Sequence, residues 1–500
     1  MSNPPPVSDR LGQGVQRLVV RNTLFLTVAQ TAGVPLSILM NAMMARYLGA
    51  QALGYIYVAT TFNAIALLGV EWGQNGSLPA LVATDKSRAS VLLGTSLVWR
   101  AGTTLLAFAL LEGASRALGY DDDFRTAIRI MFVAYSFSTV GNACQDTSIG
   151  LERTDIAAIR QVGEQTAQVA IVLPIVLLGG KLHAALVGYI FAVFPPLLFV
   201  VVALRRAGVH RPSFDPKALR ALLERGTPFV FFGLAMVLQP NIDAIFLSKL
   251  SPAAVVGWHA AARRLIGLLC FPASALIGAL YPTLCRLHAV DMKAFIRTSR
   301  EAVRGASLLA IPVALGCALY PDVGTSVYSH SFAPAENNLR VLSVFLFLLY
   351  FTMPLGCAIL AAGKQRAWAI VQSICVVVSV ALDPLLIPWF ERKWANGGIG
   401  VCVSTVASEL IVVACGIWLA PSGIFDRKFW RALGLAAASG AAMVVTARLL
   451  HPILTPFLAA PISVIAYTVA LWLTGGLEQS SIDAISGFLK RKMNRVKHAA

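Results

Sequence analysis

Arg100 sits in the middle of VLLGTSLVWRAGTTLLAFALL and is the only charge in that run. A guanidinium presents a planar fork of donors that suits phosphate oxygens and carboxylates alike. Arg100 is therefore either an anchor for an anionic substrate or half of a buried pair with a carboxylate on another helix. Arg263 and Arg264 stand side by side in AAVVGWHAAARRLIGLL, and Asp243 lies at a similar depth in the preceding run. Adjacent helical positions point about 100° apart. One arginine can thus pair with Asp243 while the other faces a cavity. Glu409, in the middle of GIGVCVSTVASELIVVACGIWL, is either a proton or cation site or an arginine partner. Arg160 and Glu164 are spaced for a local helical pair. Arg129, Asp146 and Asp383 fall nearer the ends of their runs and are expected to reach the interface. Glu71 closes its run beside GQNG and is expected to cap it or to line the cytoplasmic mouth.

These charges need an explanation because of what surrounds them. The 500-residue chain is 57% hydrophobic and only 13% charged, with mean hydropathy +0.71. Soluble domains carry roughly 25% charged residues. A bilayer crossing takes about 20 apolar helical residues, and such runs recur here, the first at 19–44 and 52–72 and the last at 453–474. The pattern predicts an all-α polytopic membrane protein with about fourteen crossings. A charge at the bilayer centre costs roughly 2.5–3.5 kcal/mol on insertion scales, so each one has a role in structure or function.

The net charge of +17 fits membrane anchoring better than nucleic-acid binding. Cations gather on the even-numbered loops, for example Arg205, Arg206, Arg211, Lys217, Arg220 and Arg225, and at both ends of the chain. That bias places both termini in the cytoplasm. The two longer basic stretches, about 205–225 and 284–302, read as partly helical cytoplasmic connectors, and 477–500 reads as a basic interfacial tail. Almost all of the eight cysteines lie within apolar runs and none forms CxxC, which speaks against a disulfide framework or a zinc site. The first residues lack the short core and cleavage site of a signal peptide, so the first apolar run is expected to remain as a helix. YDDDF at 120–124 could hold a metal, as paired acids do in membrane glycosyltransferases, or could be a solvated loop. HExxH, GxSxG and P-loop patterns are absent, and no outer segment is long enough for a catalytic domain.

The chain also repeats itself. ARYLGAQALGYIYVAT at 45–60 aligns with SKLSPAAVVGWHAAAR at 248–263, which sets Arg46 over Lys249, Leu53 over Val256, Gly54 over Gly257 and Tyr55 over Trp258. Pro35 and Pro240 fall at nearly matching places in the preceding runs, and GLER ending at Arg153 echoes GKQR ending at Arg366. The repeat predicts two parallel lobes of about six helices each, with a substrate cavity between them. The expected domains are 1–210, 211–425, two further helices in 426–476, and the tail at 477–500.

The first stretch and its continuation, ARYLGAQALGYIYVATTFNAIALLGVEWGQNGSLPALVA, resemble the first hairpin of the bacterial polysaccharide flippases. RGTPFVFFGLAMVLQPNIDAIFLSKLSPAAVVGWHAAARRLIGLLCFPASALIGALYPTLCRL resembles their seventh and eighth helices still more closely. LAAGKQRAW and GGIGVCVSTVAS also fit. The likeness covers about 15–420. It implies membership of the multidrug/oligosaccharidyl-lipid/polysaccharide flippase superfamily, with a MATE-like fold. It further implies translocation of undecaprenyl-diphosphate-linked oligosaccharide across the bacterial cytoplasmic membrane, with no catalytic residues, metal or cofactor. On that reading Arg100, Arg263, Arg264 and Asp243 are the substrate-binding candidates, and Glu409 is the candidate for coupling to a proton or sodium gradient. The implied partners are the lipid-linked oligosaccharide, membrane lipid, a polysaccharide polymerase and glycosyltransferases. A peptidoglycan-precursor flippase, a multidrug or cation exporter and an integral glycosyltransferase are the alternatives.

Overall fold

The computed structural model describes residues 7–476, apart from the side chains of 7–24, 26–32, 231, 232, 235, 236, 238–240, 275 and 279. The expected tail at 477–500, the side chains of the N-terminal arginines and the ring of Pro240 lie outside the described residues. Sixteen α-helices follow in order: α1 (Val7–Glu71), α2 (Gln74–Thr84), α3 (Ala89–Ala117), α4 (Asp122–Gly150), α5 (Thr154–Leu177), α6 (Leu182–Arg206), α7 (Pro216–Leu250), α8 (Ala253–Leu269), α9 (Phe271–Val290), α10 (Met292–Leu319), α11 (Pro321–Thr325), α12 (Ala335–Ala361), α13 (Gln365–Trp394), α14 (Gly398–Leu419), α15 (Arg427–Leu450) and α16 (Pro456–Leu473). Among the described residues there is no strand. Among the described residues, nine helical segments are long and apolar enough to cross a membrane, or ten if the bent pair α8 and α9 counts as one. The chain is a multi-pass helical membrane protein.

Two of the expected runs, 19–44 and 52–72, share α1. They meet at Gly49, whose φ of 81° and ψ of 179° belong to a region that only glycine enters without strain. The connector expected at 205–225 is not a separate amphipathic segment. Its second half forms the first turns of α7, which runs unbroken to Leu250. Asp215 caps that helix, accepting from Lys217 N at 2.9 Å, and its own N–H donates to Thr95 Oγ1 at 3.0 Å. Arg88 binds the same carboxylate at 3.2 Å. The connector at 284–302 is likewise almost wholly helical, with Asp291 alone separating α9 from α10 and capping the latter through Lys293 N and Ala294 N.

The chain packs as two compact units that divide between Ala260 and Ala261. In the first, α1 packs on α3, α4, α5 and α7, and α7 also packs on α2 and α3. Two close approaches hold α7 and the start of α8 to this unit. At one, a Cβ on Gly73 would lie 2.1 Å from Gly226 O, and Ser77 Oγ donates to Leu222 O at 3.0 Å. At the other, the repeat becomes physical. A Cβ on Gly54 would lie 2.0 Å from Ala253 O, and one on Gly257 would lie 1.9 Å from Ala50 O. Gly54 is the sequence equivalent of Gly257, and Ala50 of Ala253. The two copies of the marker therefore touch each other reciprocally, through a small-xxx-small helix crossing of the kind that lets backbones meet in lipid. Polar contacts flank it. Tyr55 donates to Asp121 Oδ2 at 2.9 Å, Tyr120 and Ser248 hydroxyls are 2.5 Å apart, and the Lys249 ammonium donates to Leu118 O while lying 3.2 Å from the centre of the Tyr120 ring. Burial pushes the Tyr120 phenol up to about 12.

In the second unit α12 is central, packing on α9, α10 and α14. Its buried Leu355, Cys357, Ala358 and Ile359 join Leu284, Phe295 and Phe429 in one core. The last pair, α15 and α16, packs together and against α10, where Tyr467 donates to Leu308 O at 2.8 Å.

The crossing predicts an asymmetric response to small substitutions. Gly257→Val should lower the melting temperature of detergent-purified protein, because overpacking of this kind costs about 1–3 kcal/mol. Gly434→Ala, where a Cβ would meet nothing within 4 Å, should not lower it. Equal melting temperatures for Gly257→Val and wild type would contradict the crossing.

Candidate functional site

The charges of the first unit converge on α4. Its residues Ser138, Thr139, Asn142, Gln145 and Asp146 recur at helical spacing, so they form one polar stripe facing α1, α2, α3 and α5. Arg100 reaches this stripe from α3 and is 1% exposed. Its Nε donates to Gln74 Oε1 at 3.1 Å and Nη1 to Thr139 O at 2.7 Å. Nη1 also lies 3.4 Å from Glu71 Oε1, and Nη2 lies 3.4 Å from Asp146 Oδ2. Gln74 Oε1 in turn accepts from Ser96 Oγ at 2.5 Å. Of the two readings of Arg100, the structure therefore provides the carboxylate pairing.

Arg160 enters the same stripe from α5. It donates to Gln145 Oε1 at 2.7 Å and Asn142 Oδ1 at 3.0 Å, and pairs with Glu164 at 3.3 Å. A Cβ at Gly141 would lie 2.7 Å from the Arg160 guanidinium, so glycine there makes room for it. Asn142 Nδ2 donates to Glu71 Oε1 at 2.9 Å and thereby links the two arginine groups. Glu71 joins this network through Arg100 and Asn142.

Asp146 and Asp383 correct the sequence expectation, for neither reaches an interface. Asp146 is 7% exposed. It does lie near the end of α4, but it turns inward onto Arg100, the charge that offsets its burial. Asp383 is fully buried, at 0%. Its helix extends to Trp394, which puts Asp383 well inside α13, where Ser404 Oγ of α14 donates to it at 2.5 Å. Arg129 pairs with Glu112 of α3 at 2.5 Å. The YDDDF acids serve helix structure: Asp121 caps α4 by accepting from Phe124 N at 3.0 Å, and Asp122 pairs with Arg125.

Asp243 lies buried on α7 in the first unit, at 5% exposure. Arg263 and Arg264 belong to α8 within the second unit and are both half-buried. Arg263 makes no hydrogen bond or ion pair with the described residues. Arg264 lies within electrostatic reach of Tyr328. Glu409 is buried on α14 and accepts from the Thr352 hydroxyl of α12. Cys270 lies within electrostatic reach of both Arg263 and Glu409.

Sequence reading missed Gln74, Asn142 and Gln145. Neutral amides raise no alarm in an apolar chain, yet the polar spacing along α4 was a usable signal. The geometry predicts that Arg100→Met destabilises the protein by about 3–5 kcal/mol, as breaking a buried pair does. A full melting curve in detergent checks this. An unchanged midpoint combined with lost transport would instead mark Arg100 as a substrate anchor.

The family described as "Polysaccharide biosynthesis protein" matches residues 19–288. No curated protein matches the chain. Among solved structures, the fold is similar to the Lipid II flippase MurJ in an inward closed conformation, with a TM-score of 0.72 and 14% identity over 91% of this chain and 99% of that one. It is similar to an inward-facing multidrug resistance MATE family transporter of the MOP superfamily, with a TM-score of 0.65 and 17% identity over 79% of this chain and 97% of that one. A MOP superfamily transporter from Pyrococcus furiosus also matches, with a TM-score of 0.55 and 16% identity over 80% of this chain and 94% of that one. These proteins of like fold are flippases and transporters rather than enzymes. With its match spanning more than half of the sequence, this chain belongs to the polysaccharide biosynthesis protein family.

Proposed function

We propose that this protein is a flippase that carries undecaprenyl-diphosphate-linked oligosaccharide across the bacterial cytoplasmic membrane by alternating access, for surface polysaccharide biosynthesis. The family match is the observation that carries this reading. On this reading the chain makes about fourteen crossings with both termini in the cytoplasm, an arrangement that suits the movement of lipid-linked cargo. An apolar groove of about 670 Å³, lined by α10, α12 and α15 through Ala314, Ala318, Val344, Phe347, Leu433 and Gly440, supports it further. The groove is wide and oily enough to keep a polyprenyl tail in the bilayer while the polar head moves. A peptidoglycan-precursor flippase is the second reading, favoured by the similarity in fold to the Lipid II flippase.

Within this reading the sequence candidates take different roles. In the second unit Arg263, which has no hydrogen bond or ion pair among the described residues, binds the diphosphate beside Arg264, and in the first unit Asp243 is the candidate for a polar contact with the sugar. Arg100 holds its helices in register and acts on the substrate only through that framework. Glu409, buried and bonded to a hydroxyl, couples transport to a proton or sodium gradient. The polymerase and glycosyltransferases of the same pathway are the partners that supply and consume the cargo.

Purified protein in liposomes tests the proposal. Wild type should move a labelled undecaprenyl-diphosphate sugar between leaflets, and Glu409→Gln should remove the dependence on an imposed ion gradient. Sugar transfer to an acceptor without flipping would overturn the flippase reading. Unchanged gradient dependence in Glu409→Gln would remove that residue from coupling.

A further inference from the structure

Arg100 offers one positive charge to two carboxylates. Glu71 lies 3.4 Å from Nη1 and Asp146 lies 3.4 Å from Nη2, both too long for tight charge-assisted bonds. The shortest contact of the guanidinium, 2.7 Å, goes to the neutral carbonyl of Thr139. Arg160 does not make up the deficit, because Glu164 already pairs with it at 3.3 Å. The connected network therefore carries three carboxylates against two guanidiniums.

The charged and titratable groups around Asp146 are Arg100 from α3, Glu71 from α1, Arg160 from α5 and Cys144 on α4 itself. From α2 comes only the neutral Gln74. The α6 helix packs on α4, but its Arg205 and Arg206 are exposed, and its His183 contacts the carbonyl of Asp123. Two carboxylates that share one site do not both stay ionised when water is excluded. A metal ion is a poor substitute for the absent charge, since no group of three acidic, histidine or cysteine ligands gathers among the described residues. A proton needs only one oxygen.

We propose that this network is a proton-binding site and that Asp146 holds the proton. Among the described residues Asp146 has Arg100 as its one hydrogen-bond partner, and its side chain is only 10% exposed. Glu71 has a second donor in Asn142 and a side chain 19% exposed, so it stays ionised and forms the route to water. The proton comes from the medium and returns to it. It leaves when Glu71 draws away from Arg100, for then Asp146 has the guanidinium to itself. This deepens the flippase reading by adding a coupling group in the first unit, distinct from Glu409 in the second.

Infrared difference spectroscopy of the purified protein, titrated from about pH 5 to about pH 8, tests the site without any transport. Wild type should show the C=O stretch of a buried protonated carboxyl group at neutral pH. Asp146→Asn should abolish that band. Glu71→Gln, which leaves Arg100 wholly to Asp146, should ionise Asp146 and remove the band as well. Glu164→Gln should leave it in place. In a Glu409→Gln background, which removes the second unit's own candidate, a band that survives both Asp146→Asn and Glu71→Gln overturns the proposal, and so does one lost only in Glu164→Gln. If Asp146→Asn does not fold, Glu71→Gln alone decides. Absence of flipping by wild type with the band intact would count against the flippase reading and not against the proton site.

Discussion

A guanidinium in the middle of an apolar helix must be neutralised by the protein, because the lipid offers nothing. Arg100 meets that demand by drawing side chains from α1, α2 and α4 onto itself. Through Asn142 the same network reaches Arg160 and α5. Five helices that share little hydrophobic driving force in a bilayer are thereby given one register. Helices in lipid associate through packing and interhelical hydrogen bonds rather than through exclusion of water, and the first unit uses both. The Arg100 network supplies the hydrogen bonds. The Gly54 and Gly257 crossing supplies the close packing.

The two arrangements suit different jobs. Small residues at the crossing let two helices approach at backbone distance, a contact that is close but carries no charge. The network is charged and largely shielded from water, so its cohesion depends on how its carboxylates are protonated. The second unit is organised differently. Its core is built on α12, its buried carboxylates Asp383 and Glu409 meet hydroxyl groups, and its half-buried Arg263 is without a partner among the described residues. The two units thus hold their buried charges differently, the first in an arginine–carboxylate network and the second on hydroxyl groups.

Much of this was legible in the sequence. Helix positions follow from apolar runs of bilayer length, since each residue's preference for lipid is local. The alignment of Gly54 with Gly257 was legible as a repeat. That the two glycines would meet was not, because a repeat fixes equivalence and leaves contact to tertiary packing. Arg100 stood out as a charge needing a partner, yet its partners were spread over three other helices and included Gln74, which no pattern of charges reveals. Asp146 and Asp383 were misjudged from their distance to the helix ends. Depth along a helix does not say which way a side chain turns, and α13 runs further than its hydropathy suggested. The connector before α7 was read as a separate segment because its charges break the apolar run, although they do not break the helix.

The central claim is that this chain binds a polyprenyl-diphosphate-linked sugar and that Arg263 holds its diphosphate. Native mass spectrometry of purified protein mixed with undecaprenyl-diphosphate sugar tests it most directly, with wild type and Arg263→Ala compared at equal folding. The account predicts a bound adduct in wild type that Arg263→Ala largely loses. Equal adducts in both proteins, or none in wild type, would contradict it.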